Sequence, residues 1–300
     1  MLHPGEQAVQ HRAGVTAQGR GSAGVGARVP PVAAAFLSEQ RLVVIAAADD
    51  TGAMWTSLLT GPPGFTTAID DRTVAVDRLP TPGDPLAGRF DTEHDIGMLV
   101  IDLANRKRMR LNGRARREDG RLVVRTDQVY SNCPKYIQAR SPAGEAPPVP
   151  QTITVTGELT ADQRQWITST DTFFVGTHAT SVGADASHRG GNPGFITAPN
   201  SHRLTWPDYV GNNMYMTLGN LALQPQCGLL FPNWDDGRLL HLTGHARTDW
   251  NPNRKATVPG AQRLIDFDIE QVVERTGCLT HHWSHHWSLH SYFRFNPPTR

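Results

Sequence analysis

"TSLLTGPPGF" at residues 56–65 returns as "ASHRGGNPGF" at residues 186–195, with Pro63 and Pro193 130 positions apart. The surroundings return with it. "LVVIAAADDTGAMWTS" (42–57) has its counterpart in "FFVGTHATSVGADASH" (173–188), upstream of each turn. Downstream, "IGMLVID" (96–102) is answered by "CGLLFPN" (227–233), and "RMRLNGRA" (108–115) by "LLHLTGHA" (239–246), now at an offset of 131. Blocks that keep their order and drift by one position are the trace of an internal duplication with a single insertion. The chain is two copies of one unit.

Each copy reads as strand. "RLVVIAAA", "RTVAVD", "IGMLVID" and "RLVVRTD" are short apolar or β-branched runs bounded by Gly, Asp and Pro. In "RMRLNGRA", Met109 and Leu111 alternate with Arg108, Arg110 and Asn112, which predicts one buried and one wet face. Gly113 and Gly244 fall at matching places inside strand patterns, where glycine marks a bulge or corner. Helical patterns are confined to "HPGEQAVQHRAG" at the start, "TADQRQWITST" (160–170) and "NNMYMTLGNLALQ" (212–224). The expected architecture is mainly β with a few helices, one small closed barrel per copy.

The 300 residues carry 29 Lys and Arg against 28 Asp and Glu, a net charge of +1, which recommends neither nucleic acid nor an anionic membrane as a partner. The longest apolar run, "LVVIAAA" (42–48), falls far short of the ~20 residues that span a bilayer. The opening residues lack the basic-then-apolar order of a secretory signal. Three cysteines, Cys133, Cys227 and Cys278, without CxxC spacing give neither a disulfide framework nor a zinc site. The expectation is a cytoplasmic protein: a lead-in (1–35, flexible over 16–35), a first unit (36–140), an extended Pro-rich linker (141–159) and a second unit (160–300) ending in a His/Trp-rich tail.

"GMLVIDLANRKRMRLNGRA" (97–115) and "GNNMYMTLGNLALQPQCGLLF" (211–231) resemble the pyridoxamine 5'-phosphate oxidase-like family of FMN-binding split β-barrels. The likeness runs through Arg189-Gly190-Gly191-Asn192-Pro193-Gly194-Phe195, Gly211-Asn212, Leu218, Asn220, Gly228–Phe231 and Gly244-His245-Ala246. It extends to "QVYSNCPKYIQAR" (128–140), the opening "LHPGEQAVQHRAGV" and the closing "YFRFNP" (292–297), and so covers nearly the whole chain. The resemblance implies two tandem split barrels forming a pseudo-dimer, with flavin held between them. It also implies an FMN-dependent oxidoreductase that passes hydride between a small molecule and the flavin, with oxygen or NAD(P)H as the other partner. The alternative is a non-catalytic flavin- or haem-binding barrel. The two copies are expected to pair within the chain, with a homodimer left open. Two departures stand out: Asn213-Met214 occupy positions that are basic in the family, and His241 and His245 stand where the first copy has Arg110 and Arg114.

A flavin mononucleotide needs donors for a dianionic phosphate. Arg189 offers a planar fork for two oxygens, with Ser187, Asn212 and the amides of Gly190 and Gly191 completing a cradle. From the first copy the matching strand offers Trp55, Ser57 and Thr60. Cys133 near Lys135 reads as structural, no His/Asp partner being placeable beside it. The basic run "NRKRMRLNGRARR" (105–117) reads mostly as a solvated face, with some members available to an anion. In "HHWSHHWSLH" (281–290), an extended chain sends His281, Trp283, His285 and Trp287 one way, where the aromatics pack on the barrel or cover the cleft. No metal site or catalytic residue is assigned.

Overall fold

The computed structural model describes residues 2–15, 24–131, 133–145, 149–279 and 281–285. The closing "YFRFNP" and the end of the His/Trp tail lie outside them. After α1 (Pro4–Arg12), the first copy builds α2 (Pro31–Glu39), β1 (Leu42–Ala48), β2 (Met54–Thr60), β3 (Thr66–Ala68), β4 (Thr73–Val76), β5 (His94–Asp102), β6 (Lys107–Glu118) and β7 (Arg121–Ser131). Then come β8 (Arg140–Glu145) and β9 (Ile153–Thr156). The second copy builds α3 (Ala161–Ser169), β10 (Thr172–Ala179), β11 (Gly183–Gly190), β12 (Thr197–Asn200), β13 (Arg203–Tyr209), α4 (Met216–Leu223), β14 (Gln226–Pro232), β15 (Leu239–Asp249), α5 (Pro252–Ala256) and β16 (Ala261–Arg275). β17 (His281–His285) follows.

The duplication is written into the topology. One antiparallel sheet runs β2-β1-β5-β6-β7-β4-β3, and the other runs β11-β10-β14-β15-β16-β13-β12, the same order element for element. Neither path closes through backbone pairing: β2 and β3 end the first, β11 and β12 the second. The expected closed barrel is therefore an open, curled sheet around its own core. Each core is apolar, with Leu37, Ile45, Met98 and Leu111 in the first and Ile167, Phe173, Leu229 and Phe267 in the second. Leu37 of α2 and Ile167 of α3 are fully buried at matching positions. Helix α2 thus corrects part of the flexible lead-in: Pro31 opens a helix whose Ala33 and Leu37 pack inward.

The repeated Pro-Gly-Phe is a turn with a fixed geometry. Phe65 N–H donates to Pro62 O (3.1 Å) and Phe195 N–H to Asn192 O (3.0 Å). Gly64 (φ 91°) and Gly194 (φ 89°) occupy the left-handed position after proline. Gly113 and Gly244 sit at register shifts of β6 and β15. A Cβ there would lie 2.0 Å from Arg125 O or from Asp268 O, so both bulges require glycine. Strands at the described ends of the Pro-rich segment pair with the second copy and its tail: β8 with β17, and β9 with β16. Trp283 of β17 packs edge-on against Trp234 at 5.8 Å, which places that side chain inward; Trp287 lies outside the described residues.

The copies meet through the faces of β1, β2, β5 and β6 against β10, β11, β14 and β15. Two equivalent glycines set the approach. A Cβ at Gly97 would fall 2.4 Å from the Asp185 backbone, and one at Gly228 would fall 2.6 Å from Met54 O. No helix among the described residues is long and apolar enough to cross a membrane.

Candidate functional site

The wet face expected for β6 is dry. Arg110 is 8% exposed and Asn112 5%, because β11 of the other copy covers them. Alternation identified the face correctly, but its neighbour is protein and not water. Beyond the bulge the face does emerge, and there Arg114 pairs with Glu93 and Asp95, and Arg116 with Glu118.

At the centre of the contact Asp185 accepts Arg110 Nη1 at 3.0 and 2.9 Å. Thr217 Oγ1 donates to Asp185 at 3.2 Å, and Tyr130 Oη lies 3.4 Å from it. Burial opposes the Arg110 charge, but Asp185 and Tyr130 outweigh it and hold its pKa above the ordinary value. Burial also pushes the Tyr130 phenol up, so it stays protonated. The pair is desolvated and neutralised internally.

Next to it opens a cleft of about 110 Å³. Arg108 and Arg110 enter from β6, His188, Arg189 and Gly190 from β11, and the first turn of α4 from below. Arg108 donates Nη1 to His188 Nδ1 (2.9 Å) and Nη2 to Cys133 O (2.8 Å). Arg189 Nη1 donates to His188 O (3.0 Å). Among the described residues no carboxylate lies within ion-pair distance of Arg108 or Arg189. Burial first, and then the charges of Arg110 and Arg189, push Arg108 down to about 9. Arg189 is lowered by burial too, and burial with the surrounding guanidiniums holds His188 neutral. The Nε atoms of Arg108 and Arg110 and Nε2 of His188 are buried without a partner. Asp208, also in the cleft wall, acts on Arg189 from beyond ion-pair distance. Half-buried cations without a close counter-charge are costly, and their unpartnered donors are available to an anion. Helix α4 begins with no side-chain cap, so its first amides also lack a capping side chain.

The expected site residues divide between two places. Arg189, Gly190 and Asn212 line this cleft. Gly190 is needed there, since a Cβ would meet Tyr136 O at 2.1 Å. Ser187 lies behind the cleft, its Oγ 3.3 Å from Val175 O and 3.1 Å from Thr217 Oγ1. Gly191 N–H is already spent on Asp171 O (3.1 Å). The three first-copy residues are elsewhere. Trp55 is a core residue whose Nε1 donates to Asp49 (2.9 Å), Ser57 donates to Asp84, and Thr60 lines a second cleft. The residues that join Arg189 are instead Arg108 and Arg110, on the next strand but two. The repeat shows which strands correspond, whereas only the docking of the copies shows which of them face each other. Cys133 and Lys135 also reach the cleft, with Tyr136 and Tyr209 as an aromatic pair (5.3 Å) beside them.

No family model and no curated protein matches the chain. Solved structures do. HupZ of Group A Streptococcus is 7% identical over 37% of this chain and 90% of its own, with a TM-score of 0.32. A candidate pyridoxamine 5'-phosphate oxidase from Lactobacillus delbrueckii is 14% identical over 39% and 94% (0.32). An FAD binding protein from Mycobacterium smegmatis is 10% identical over 40% and 98% (0.29). Each spans most of a shorter protein and about two fifths of this one.

Proposed function

We propose that the chain is a tandem split-barrel flavoprotein whose two copies act as a pseudo-dimer and hold FMN in the basic cleft between them. The observation that carries this is the half-buried guanidinium pair, Arg108 and Arg189, neither of which has a carboxylate within ion-pair distance among the described residues. A phosphate dianion satisfies that charge and the free Nε groups together. The sequence resemblance to FMN-binding barrels, spread over nearly the whole chain, supports the same reading.

The cleft fits the phosphate but is smaller than the ~300 Å³ at which ligand pockets usually begin. Residues 211–215, which line it, contain Asn213 and Tyr215 at φ 61° each, a backbone state that costs energy. In this reading Arg108 and Arg189 bind the phosphate, while Asp185 and Tyr130 keep the Arg110 fork in place. Tyr136 and Tyr209 shield the cleft from water. When bound, flavin supplies a ring that exchanges hydride with a small molecule, NAD(P)H or oxygen being the second partner. No residue of the cleft is required as general acid or base.

The test is an absorbance titration of the purified chain with FMN and, separately, riboflavin. Each charge-assisted hydrogen bond is worth about 1.5–3 kcal/mol, so FMN is expected to bind at least about tenfold more tightly than riboflavin. Arg189→Ala and Arg108→Ala should each remove that preference. Equal affinity for the two compounds would refute a phosphate site here. A Soret band in the purified protein would favour the haem-binding alternative.

A further inference from the structure

The pseudo-twofold arrangement creates a second cleft, and its lining differs wherever the first carries charge. β2 and β11 keep the same register against β1 and β10, so residues 130 apart correspond; on β6 and β15 the offset is 131. Arg108 and Arg110 thus become Leu239 and His241. Asp185 becomes Trp55, and His188-Arg189 becomes Leu58-Leu59. The guanidinium cradle is absent, and the room is larger: about 490 Å³, within the usual range for a small-molecule site.

Leu58, Leu59, Leu239, Leu279 and Trp283 contribute an apolar wall. Three guanidiniums reach the same space, Arg41, Arg78 and Arg275, against one carboxylate, Asp84. Asp84 is fully committed, taking Arg275 Nη1 (2.7 Å), the Ser57 hydroxyl and Leu86 N–H (3.0 Å). Arg275 spends Nη2 on Thr81 Oγ1 (2.6 Å), and Arg78 spends Nη1 on Asp77 O (2.9 Å). The half-buried Arg41 side chain makes no hydrogen bond or ion pair among the described residues.

We propose that this second cleft binds an organic monocarboxylate with an apolar body and does not take flavin phosphate. The carboxylate lies on Arg41, and the body runs along the leucines and Trp283. An apolar wall rewards burial of the body in proportion to its area, and the Arg41 guanidinium, whose donors are all unspent among the described residues, matches one carboxylate. The inference rests on the inequality of the two clefts and not on flavin in the first.

Decanoate titrated into the full chain by calorimetry is the test, with decanol as the uncharged comparison. Decanoate is expected to bind once per chain and at least tenfold more tightly than decanol. Arg41→Glu should weaken it at least tenfold, and Thr60→Trp, which fills the cleft, should abolish it. Arg108→Ala should leave decanoate binding intact while the preference for FMN over riboflavin is lost. Failure of decanoate to bind, displacement of decanoate by FMN, or indifference to both cleft variants would overturn the proposal. A chain that ignores FMN yet binds decanoate as described would refute the flavin reading and leave this one standing.

Discussion

Arg108 concentrates the tension of the first cleft. Folding brings its guanidinium under the charges of Arg110 and Arg189 with only a carbonyl and a neutral imidazole to receive it. Its pKa falls on folding, so the folded state holds the charge less favourably than the unfolded chain does. Arg108→Met removes that charge and keeps the aliphatic stem. We therefore expect the unliganded variant to melt no lower than the parent chain, although two hydrogen bonds are lost. The upward shift in Tm that FMN gives the parent should disappear. Thermal melts with and without FMN check both, and a large loss of stability in the unliganded variant would show that Arg108 is structural.

At the scale of elements, α1 docks on α4 with almost no gap. A Cβ at Gly5 would lie 2.1 Å from Gly219 O, and one at Gly219 would lie 2.6 Å from Glu6 N. The contact buries Glu6 (2% exposed), whose Oε2 takes His3 N–H (2.9 Å) while Oε1 has no partner. Burial, partly opposed by that hydrogen bond, raises the Glu6 carboxyl from 4.5 to about 7. A carboxyl raised on folding stabilises while protonated. Its contribution is complete below about 4.5 and is lost as pH rises through 7. Glu6→Gln keeps an acceptor and cannot ionise, so its stability advantage, read from thermal melts, should be absent at pH 4.5, grow toward pH 8 and approach on the order of 3 kcal/mol. A pH-independent difference would show that Glu6 does not titrate there. Elements also mark where the sequence was legible. The Pro-Gly-Phe turns and the bulges at Gly113 and Gly244 could be read because backbone geometry leaves few residues able to occupy them. The inward turn of Arg108 and Arg110 could not, because a strand pattern separates two faces without saying what covers the second. Trp55, Ser57 and Thr60 share the strand the repeat assigns them, but only Thr60 lines a cleft, the second, for the same reason.

For the whole molecule, the decisive contact is the one that makes the copies inseparable. Arg110 comes from the first copy and Asp185 from the second, and each is the other's main neutralising partner at the centre of the interface. Gly97 lets the β5 backbone approach that of Asp185 closely, and Gly228 does the same against Met54; the Asp185 side chain is fully buried. Parting the copies would expose Leu99, Leu230 and Phe174, which lie in a shared apolar cluster drawn from both sheets. The two copies should therefore unfold together, in one calorimetric transition. Asp185→Asn leaves Arg110 charged in a space built for a pair, and breaking a buried pair from one side costs about 3–5 kcal/mol. Because the pair spans the interface, that cost should lower the single transition as a unit. Combining Asp185→Asn with Arg110→Met removes the stranded charge and should recover much of the loss. Two separate peaks in the parent chain, or a double variant no more stable than Asp185→Asn alone, would show that each copy stands by itself and that the clefts between them are incidental to the fold.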